Sequence, residues 1–334
     1  MADKFAIDFD SSFTNIYKLG SGLVLSEPTV AAVDDGGKGS VKAIGLEANK
    51  LIGKTTKNTK TVFPVFEGEI VNERIATELL SGFMKKVSCS GKFFSMEGVF
   101  SVPCGIDSVM LEKYRKVAKN CGFTKVSFIE APLLSALGQR IPLSDSKPFF
   151  VIDMAGGTTN IAAVSLDGVI AGVSVNFGSN VICADIIDFV AEKFGLQIGL
   201  LTAEKLKNEI GSLDICDGLS TIINGRNIKT GTPMALTVKA MELFEPVSKY
   251  FDKIAEISLS VLKKLPPEVS AEIRHSGIYI SGISSTIYGL ASYYKEKFDM
   301  EINLADNGLM CVALGGGAVL ANPALKKKLA LTLK

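Results

Sequence analysis

Two segments of this 334-residue chain carry the same chemical pattern. The first reads Lys4-Phe-Ala-Ile-Asp8-Phe-Asp-Ser-Ser-Phe-Thr-Asn-Ile-Tyr17, the second Phe149-Phe-Val-Ile-Asp153-Met-Ala-Gly-Gly-Thr-Thr-Asn-Ile-Ala162. Each is an apolar strand ending in aspartate, a turn of small and hydroxyl residues, and a second apolar strand. A carboxylate at such a strand end can orient water on Mg²⁺, an ion that keeps several waters and takes few protein ligands. The turn that follows offers backbone N–H groups as an anion nest. Either segment alone reads more simply as an ordinary hairpin. As a pair heading two halves of one chain, they suggest a duplicated unit whose hairpins face each other and clamp a triphosphate.

Other candidates are weaker. Glu204 and Lys207 stand at i and i+3, on one face of a helix, and could meet a ribose or an adenine edge, although such a pair is more often a solvated face. Ser281-Gly-Ile-Ser-Ser285 follows an apolar strand and could hold adenine or an α-phosphate, or be a plain strand–helix turn. Gly315-Gly-Gly317 is better explained by close helix packing than by anion binding. There is a single histidine, His275, and the six cysteines form no CxxC pair, which argues against a zinc site and against a serine or cysteine hydrolase.

Elements must position these residues. Helical spacing is predicted over 72–87, 107–120, from Pro132 to 137, over 181–194, over 202–210 with Thr202 as N-cap, over 244–265, and from Leu314 to 320. Strands are expected at 98–102 and 277–281. Strands alternating with helices give an α/β fold. The length suggests about two domains at roughly 100–200 residues each, and 47% apolar residues supply more than one core. Thirty-six Lys and Arg against 35 Asp and Glu leave a net charge of +1, which argues against a nucleic-acid partner. No signal peptide and no membrane-spanning run is read, and cysteines scattered among apolar residues suit a reducing cytoplasm.

In their order along the chain, these motifs resemble the actin superfamily, and most closely the MreB family of bacterial actins. The likeness extends through Leu25-Ser-Glu-Pro-Thr-Val30, Ile44-Gly-Leu-Glu-Ala48, Ile52-Gly-Lys-Thr55, Val102-Pro-Cys-Gly105 and Ile129-Glu-Ala-Pro132. It continues through Thr202-Ala-Glu-Lys-Leu-Lys-Asn-Glu-Ile-Gly211, Gly225-Arg-Asn-Ile-Lys-Thr-Gly231 and Cys311-Val-Ala-Leu-Gly315. The resemblance covers nearly the whole chain. It implies an actin-like α/β fold: two domains, each with a ribonuclease-H-like core and a smaller inserted subdomain, around a nucleotide cleft. Residues 1–32, 64–145 and 315–334 would form subdomain IA and 33–63 subdomain IB. Residues 146–181 and 243–314 would form IIA, and 182–242 IIB.

By the same resemblance, ATP with Mg²⁺ would lie between Asp8, Ser11, Ser12 and Phe13 on one side and Gly156, Gly157 and Thr158 on the other. Glu204, Lys205, Leu206 and Lys207 would hold the nucleoside, with Gly282, Ile283, Ser284 and Ser285 beneath it. Asp8 and Asp153 would reach the metal through water, and Asp153 and Thr159 would serve catalysis. The departures are specific. The family's Asp-Leu-Gly-Thr is Asp8-Phe-Asp-Ser11 here, so Asp10 stands for a glycine. Ala155 replaces a glycine of the second turn, and Gly282-Ile-Ser284 replaces three glycines. Ala131 stands where the family has a water-positioning glutamate, and Glu130, one residue away, should point elsewhere; slow hydrolysis is expected.

The partners implied are further copies of the chain, stacked head to tail into filaments and paired as antiparallel protofilaments, and other bacterial actins. The implied function is cell shape, or helicity and motility in a wall-less cell. Lys92-Phe93-Phe94-Ser-Met96 and the basic–apolar tail 325–334 suggest peripheral membrane contact. A sugar-kinase-like phosphotransferase of the same superfamily is the alternative, although no carboxylate base for a sugar is apparent.

Overall fold

The computed structural model describes residues 2–36, 39–55, 57–87, 95–143, 147–216 and 218–331. The apolar run Phe5, Ala6 and Ile7 is buried without alternation. That pattern belongs to a strand covered on both faces, and Asp3–Phe9 is the middle strand of a five-stranded sheet. It pairs antiparallel with Phe13–Lys18, which pairs antiparallel with Gly22–Pro28. On its other side it runs parallel to Met96–Val102, which runs parallel to Phe123–Glu130.

The second sheet repeats this arrangement. Phe149–Met154 is its middle strand, flanked antiparallel by Thr159–Ser165 and then Gly168–Val175. On the other side lie the parallel strands Ile278–Gly282 and Ile302–Leu304. Strand order and sense are the same in both sheets, so the duplication read from the two hairpins extends to all five strands of each half.

Helices Glu73–Val87 and Ser108–Asn120 cover one face of the first sheet through Leu79, Phe83 and Tyr114. Asn180–Phe194 and Ala240–Leu262 cover one face of the second through Ile186, Tyr250 and Phe251. Between the sheets lie Ala131–Gly138 and Cys311–Ala321, in one apolar cluster that joins Ala6 and Val99 of the first sheet to Val151 and Ala162 of the second. Each of these helices follows the last parallel strand of one half and leads the chain back toward the other. They touch backbone to backbone. A Cβ placed on Gly138 would lie 1.9 Å from the Cys311 carbonyl oxygen, and one on Gly315 would lie 1.8 Å from that of Leu134. The Gly315–Gly317 run therefore serves helix packing, inside the helix rather than before it.

Two small three-stranded sheets are added to this frame. One joins Val41–Ile44, Ala31–Asp34 and Thr59–Val62; the other joins Leu196–Gln197, Ser220–Asn227 and Pro233–Lys239.

Some helix limits differ from the sequence reading, among them the terminal helix, which runs Cys311–Ala321 instead of from Leu314 to 320. The helix expected from Thr202 is Leu200–Ile210 with Gly199 as N-cap, so Thr202 lies in its first turn and caps nothing. The helix expected from Phe244 is Ala240–Leu262. It starts earlier because the Glu242 carboxylate reaches back to the Lys239 N–H at 3.0 Å, and it tolerates Pro246 in its second turn.

Candidate functional site

The two hairpin aspartates stand at equivalent register positions. Asp8 lies opposite Asn15 across the first hairpin and Asp153 opposite Asn160 across the second. Each carboxylate takes two bonds of the same kind. Asn15 Nδ2 donates to Asp8 Oδ2 at 3.3 Å and Ser101 Oγ to Asp8 Oδ1 at 2.7 Å. Asn160 Nδ2 donates to Asp153 Oδ2 at 3.3 Å and Ser281 Oγ to Asp153 Oδ1 at 2.8 Å. The serines come from the neighbouring parallel strands. Both aspartates therefore occupy one structural position, duplicated.

They line one cavity of about 40 Å³, with Asp10, Ala131, Thr158 and Tyr114 also in its wall. Burial, followed by the charge of Asp10, pushes the Asp8 carboxyl up to about 7 against the lowering effect of its Ser101 and Asn15 bonds; Asp153 adds to the rise. Burial also pushes Asp153 up to about 6, opposed by its Ser281 and Asn160 bonds and aided by Asp10. Groups held this far from their ordinary range by desolvation and like charge mark a place where a cation or a proton is wanted.

A second cavity, of about 280 Å³, adjoins the first. Ser12, Phe13 and Ile283 line both. Glu204 and Lys207 form its far wall. Lys207 is buried yet lies within 4 Å of no carboxylate among the described residues, an arrangement that favours a polar or anionic visitor. Lys207 also opens onto a third cavity of about 480 Å³ beside Ile287 and Tyr288.

Most residues singled out in the sequence converge here. Asp8, Ser12, Phe13, Asp153, Gly156, Thr158, Gly282 and Ile283 line the small cavity; Ser11, Glu204 and Lys207 line the larger one. Gly157 packs against Ser11, where a Cβ would fall 2.3 Å from the serine Oγ. Ser284 and Ser285 are buried in the short helical turn Ile283–Thr286, and Ser285 Oγ donates to the Gly282 carbonyl at 2.8 Å.

Three residues do not fit the roles read for them. Thr159 Oγ1 lies 2.8 Å from both the Tyr250 hydroxyl and the Phe177 carbonyl oxygen, inside the second lobe rather than facing the aspartates. Leu206 is fully buried in the core of that lobe. Lys205 points outward, its Nζ 3.1 Å from the Ile222 carbonyl oxygen and 3.7 Å from Glu209. The helix turn that brings Glu204 and Lys207 to one face sends the residues between them elsewhere. Glu130 is turned away as expected: its carboxylate accepts the Gly105 N–H at 2.7 Å, while Ala131 faces the cavity.

Sequence reasoning missed Asn15, Asn160 and Ser101, and read Ser281 only as part of the 281–285 turn, not as a partner of Asp153. The asparagines were detectable, since each stands seven residues after its aspartate in both copies. The serines were not, because separate strands bring them in. Residues 92–94, read as a membrane contact, lie outside the described residues. The tail is docked instead of free where it is described: Lys326 pairs with Glu97, Lys328 with Asp167 at 2.8 Å, and Leu329 is buried. No single helix among the described residues is long and apolar enough to cross a membrane.

Comparison with known proteins agrees with this frame. The chain is 32% identical over 325 residues to the cell shape-determining protein MreB of Escherichia coli K12, covering 96% of this chain and 93% of that protein. It is 29% identical over 322 residues to the cell shape-determining protein Mbl of Bacillus subtilis 168, covering 96% of each. Its structure superposes on the crystal structure of MreB 5 of Spiroplasma citri bound to AMPPNP with a TM-score of 0.92, at 26% identity and covering 98% of both chains. The MamK double helical filament, 18% identical, superposes with a TM-score of 0.80 over 96% of this chain and 99% of that one, and shares the fold. The fold is actin-like, and with the MreB/Mbl family model matching residues 2–328, the chain belongs to the MreB/Mbl family.

Proposed function

We propose that this chain is an ATP-binding actin-like subunit that polymerises into cytoskeletal filaments governing cell shape, or helicity and motility in a wall-less cell. One observation carries the nucleotide part: two equivalent aspartates, each seated by an asparagine and a serine, face one cavity from two sheets of the same topology. The Spiroplasma citri relative is described bound to AMPPNP and to ADP, which supports the same ligand class here. In this reading the nucleoside rests against Glu204 and Lys207, above Gly282–Ser285, and the phosphates run between the two turns toward Asp8 and Asp153. The subdomain division 1–32, 64–145 and 315–334; 33–63; 146–181 and 243–314; 182–242 belongs to the same proposal.

Mg²⁺ fits the donor set. Asp8 and Asp153 present carboxylates held in place by two bonds each, while no group of three His, Cys, Asp or Glu among the described residues could hold an ion directly. That arrangement suits an ion that keeps its water shell. When bound, Mg²⁺ supplies positive charge against the phosphates. The chain's own part is to orient: Asp8 and Asp153 would hold the ion through its water shell, and the turns would present N–H groups to the phosphates. With only a methyl group at Ala131, the water that would attack the terminal phosphate is not positioned there, and hydrolysis is slow.

Self-association is head to tail, since a heterologous contact that does not close produces filaments; paired protofilaments and contacts with other bacterial actins extend that reading. Peripheral membrane contact, through Lys92–Met96 or the tail 325–334, extends the same reading, although Lys326 and Lys328 of the tail are paired with Glu97 and Asp167. A sugar-kinase reading finds no support in the relatives. Sedimentation with ATP, with ADP and without nucleotide tests the proposal, with electron microscopy of the pellet. A chain that stays in the supernatant under all three conditions while binding ATP overturns the filament part; a chain that binds no nucleotide overturns the rest.

A further inference from the structure

The turn of the first hairpin places a carboxylate between the two lobes. Asp10 Oδ2 accepts the backbone N–H of Ser12 in its own turn, at 3.1 Å, and that of Gly156 in the opposite turn, at 3.0 Å. These donors are the groups that make such turns anion nests. Here an anion from the chain itself uses them, and it does so across the cleft.

The turns are pressed together around it. A Cβ on Gly156 would fall 1.9 Å from Ser12 Oγ and 2.8 Å from Asp10 Oδ2. Ser12 Oγ donates to Asn180 Oδ1 of the second lobe at 2.8 Å. The cavity left beside these contacts is about 40 Å³, against a few hundred for an ordinary small-molecule site. In this conformation the position between the turns belongs to Asp10.

The duplication makes the arrangement one-sided. Asp10 stands two residues after Asp8, and the equivalent position after Asp153 is Ala155. One carboxylate can share the nest with two N–H donors; a second from Ala155's side would meet the first. The direction of approach also follows from the cavities. The larger one, with Glu204 and Lys207, leads past Ser12, Phe13 and Ile283 into the smaller one that holds Asp10. A nucleotide seated at the Glu204–Lys207 end reaches Asp10 with its last phosphate.

We propose that Asp10 is a resident anion of the phosphate nest and a specificity-determining residue, which the terminal phosphate of a nucleoside triphosphate must displace, so that the chain favours the diphosphate relative to a chain without this carboxylate. The inference rests on the nucleotide reading above. A diphosphate stops short and leaves Asp10 on Ser12 and Gly156. A triphosphate competes for the same N–H groups and brings its charge against the carboxylate. Nucleotide-driven opening of the lobes then begins with the release of Asp10.

The test is the affinity of the full chain for Mg·ATP and Mg·ADP, by titration calorimetry, in wild type, Asp10→Gly and Asp10→Asn. Asp10→Gly should tighten ATP by about tenfold or more and ADP by less than about threefold, the size expected for removing a like charge and freeing two charge-assisted donors. Asp10→Asn keeps an acceptor oxygen for both N–H groups without the charge, and should fall between. It also decides the matter alone if melting curves reveal that the glycine variant is unfolded. An ATP-to-ADP preference that is the same in every folded variant overturns the inference while leaving the nucleotide reading intact, as does an equal gain for both nucleotides. Failure of all three proteins to bind either nucleotide overturns both.

Discussion

Asn15 and Asn160 perform the same two tasks in the two lobes. Each donates through Nδ2 to the aspartate opposite, at 3.3 Å, and each reaches across to the other lobe. Asn15 Nδ2 also donates to the Leu309 carbonyl at 3.0 Å, and Asn160 Oδ1 accepts the Cys104 N–H at 3.0 Å. The position that holds the carboxylate thus also joins the lobes, so the geometry of the aspartates and the closure of the cleft are coupled.

Asn160→Ala should therefore cost stability as well as nucleotide affinity. It leaves the buried Cys104 N–H without an acceptor, which costs about 1–3 kcal/mol. Asn160→Asp preserves an acceptor but adds a carboxylate beside Asp153, and should weaken the nucleotide-free protein further. Thermal melting of the three proteins checks this; an Asn160→Ala variant that melts with wild type would mean that water or a rearranged turn satisfies the Cys104 N–H.

Ala131 faces the cavity while Glu130 is occupied by the Gly105 N–H. Ala131→Glu should raise phosphate release, since a positioned basic group contributes on the order of 10²–10⁴-fold. A gain of even about tenfold supports the assignment on that scale. No gain from Ala131→Glu alone, followed by a gain once Asp10→Gly is added, would make Asp10 the dominant obstacle. No gain from either sinks the account of slow hydrolysis.

The buried aspartates predict a pH dependence of the nucleotide-free protein. Burial and the neighbouring Asp10 charge lift Asp8 from an ordinary value of 3.8 to about 7, and burial lifts Asp153 to about 6. Between those limits the folded chain binds more protons than the unfolded one. Stability from these groups is therefore full below the unfolded value and is lost as pH rises through 6 and 7. The melting temperature should fall over that range, Asp8→Asn should flatten the fall, and Mg·ATP should oppose it. A melting temperature that rises through the same range in wild type and Asp8→Asn alike contradicts the raised values.

How much could be read from the residues alone follows from what is local. The hairpins, their aspartates and the duplication were legible because a strand, a turn and a second strand lie within fourteen consecutive residues in each copy. The face shared by Glu204 and Lys207 was legible because helical spacing fixes it, and the same spacing excludes Lys205 and Leu206 once the helix is in place. The partners of the aspartates were not, since Ser101 and Ser281 arrive from strands far along the chain. Thr159 failed for a related reason: its hydroxyl meets the Phe177 carbonyl and the Tyr250 hydroxyl, and sequence brings neither near. The engagement of Asp10 with Gly156 could not be foreseen, because it requires the two halves to close on each other.

That closure is governed by the crossing of Ala131–Gly138 and Cys311–Ala321. Gly138 and Gly315 bring two helix backbones together where a Cβ would sit within 2 Å of a carbonyl oxygen in either direction. Gly315→Ala cannot be absorbed by a side-chain rotation, because the obstacle is the Leu134 carbonyl itself. The helices must separate, and every contact they carry between the sheets shifts with them. A cost of about 1–3 kcal/mol is expected for overpacking of this kind, with Gly138→Ala similar and the double variant less than additive, since one displacement relieves both. Gly317 provides a control in the same helix: its Cβ would meet the Tyr17 ring rather than backbone, and a ring at the cluster's edge can move, so Gly317→Ala should cost less than Gly315→Ala. Urea unfolding of the four variants gives the comparison. If Gly315→Ala matches Gly317→Ala, the crossing has slack, and the two lobes are not held at a fixed separation by these glycines.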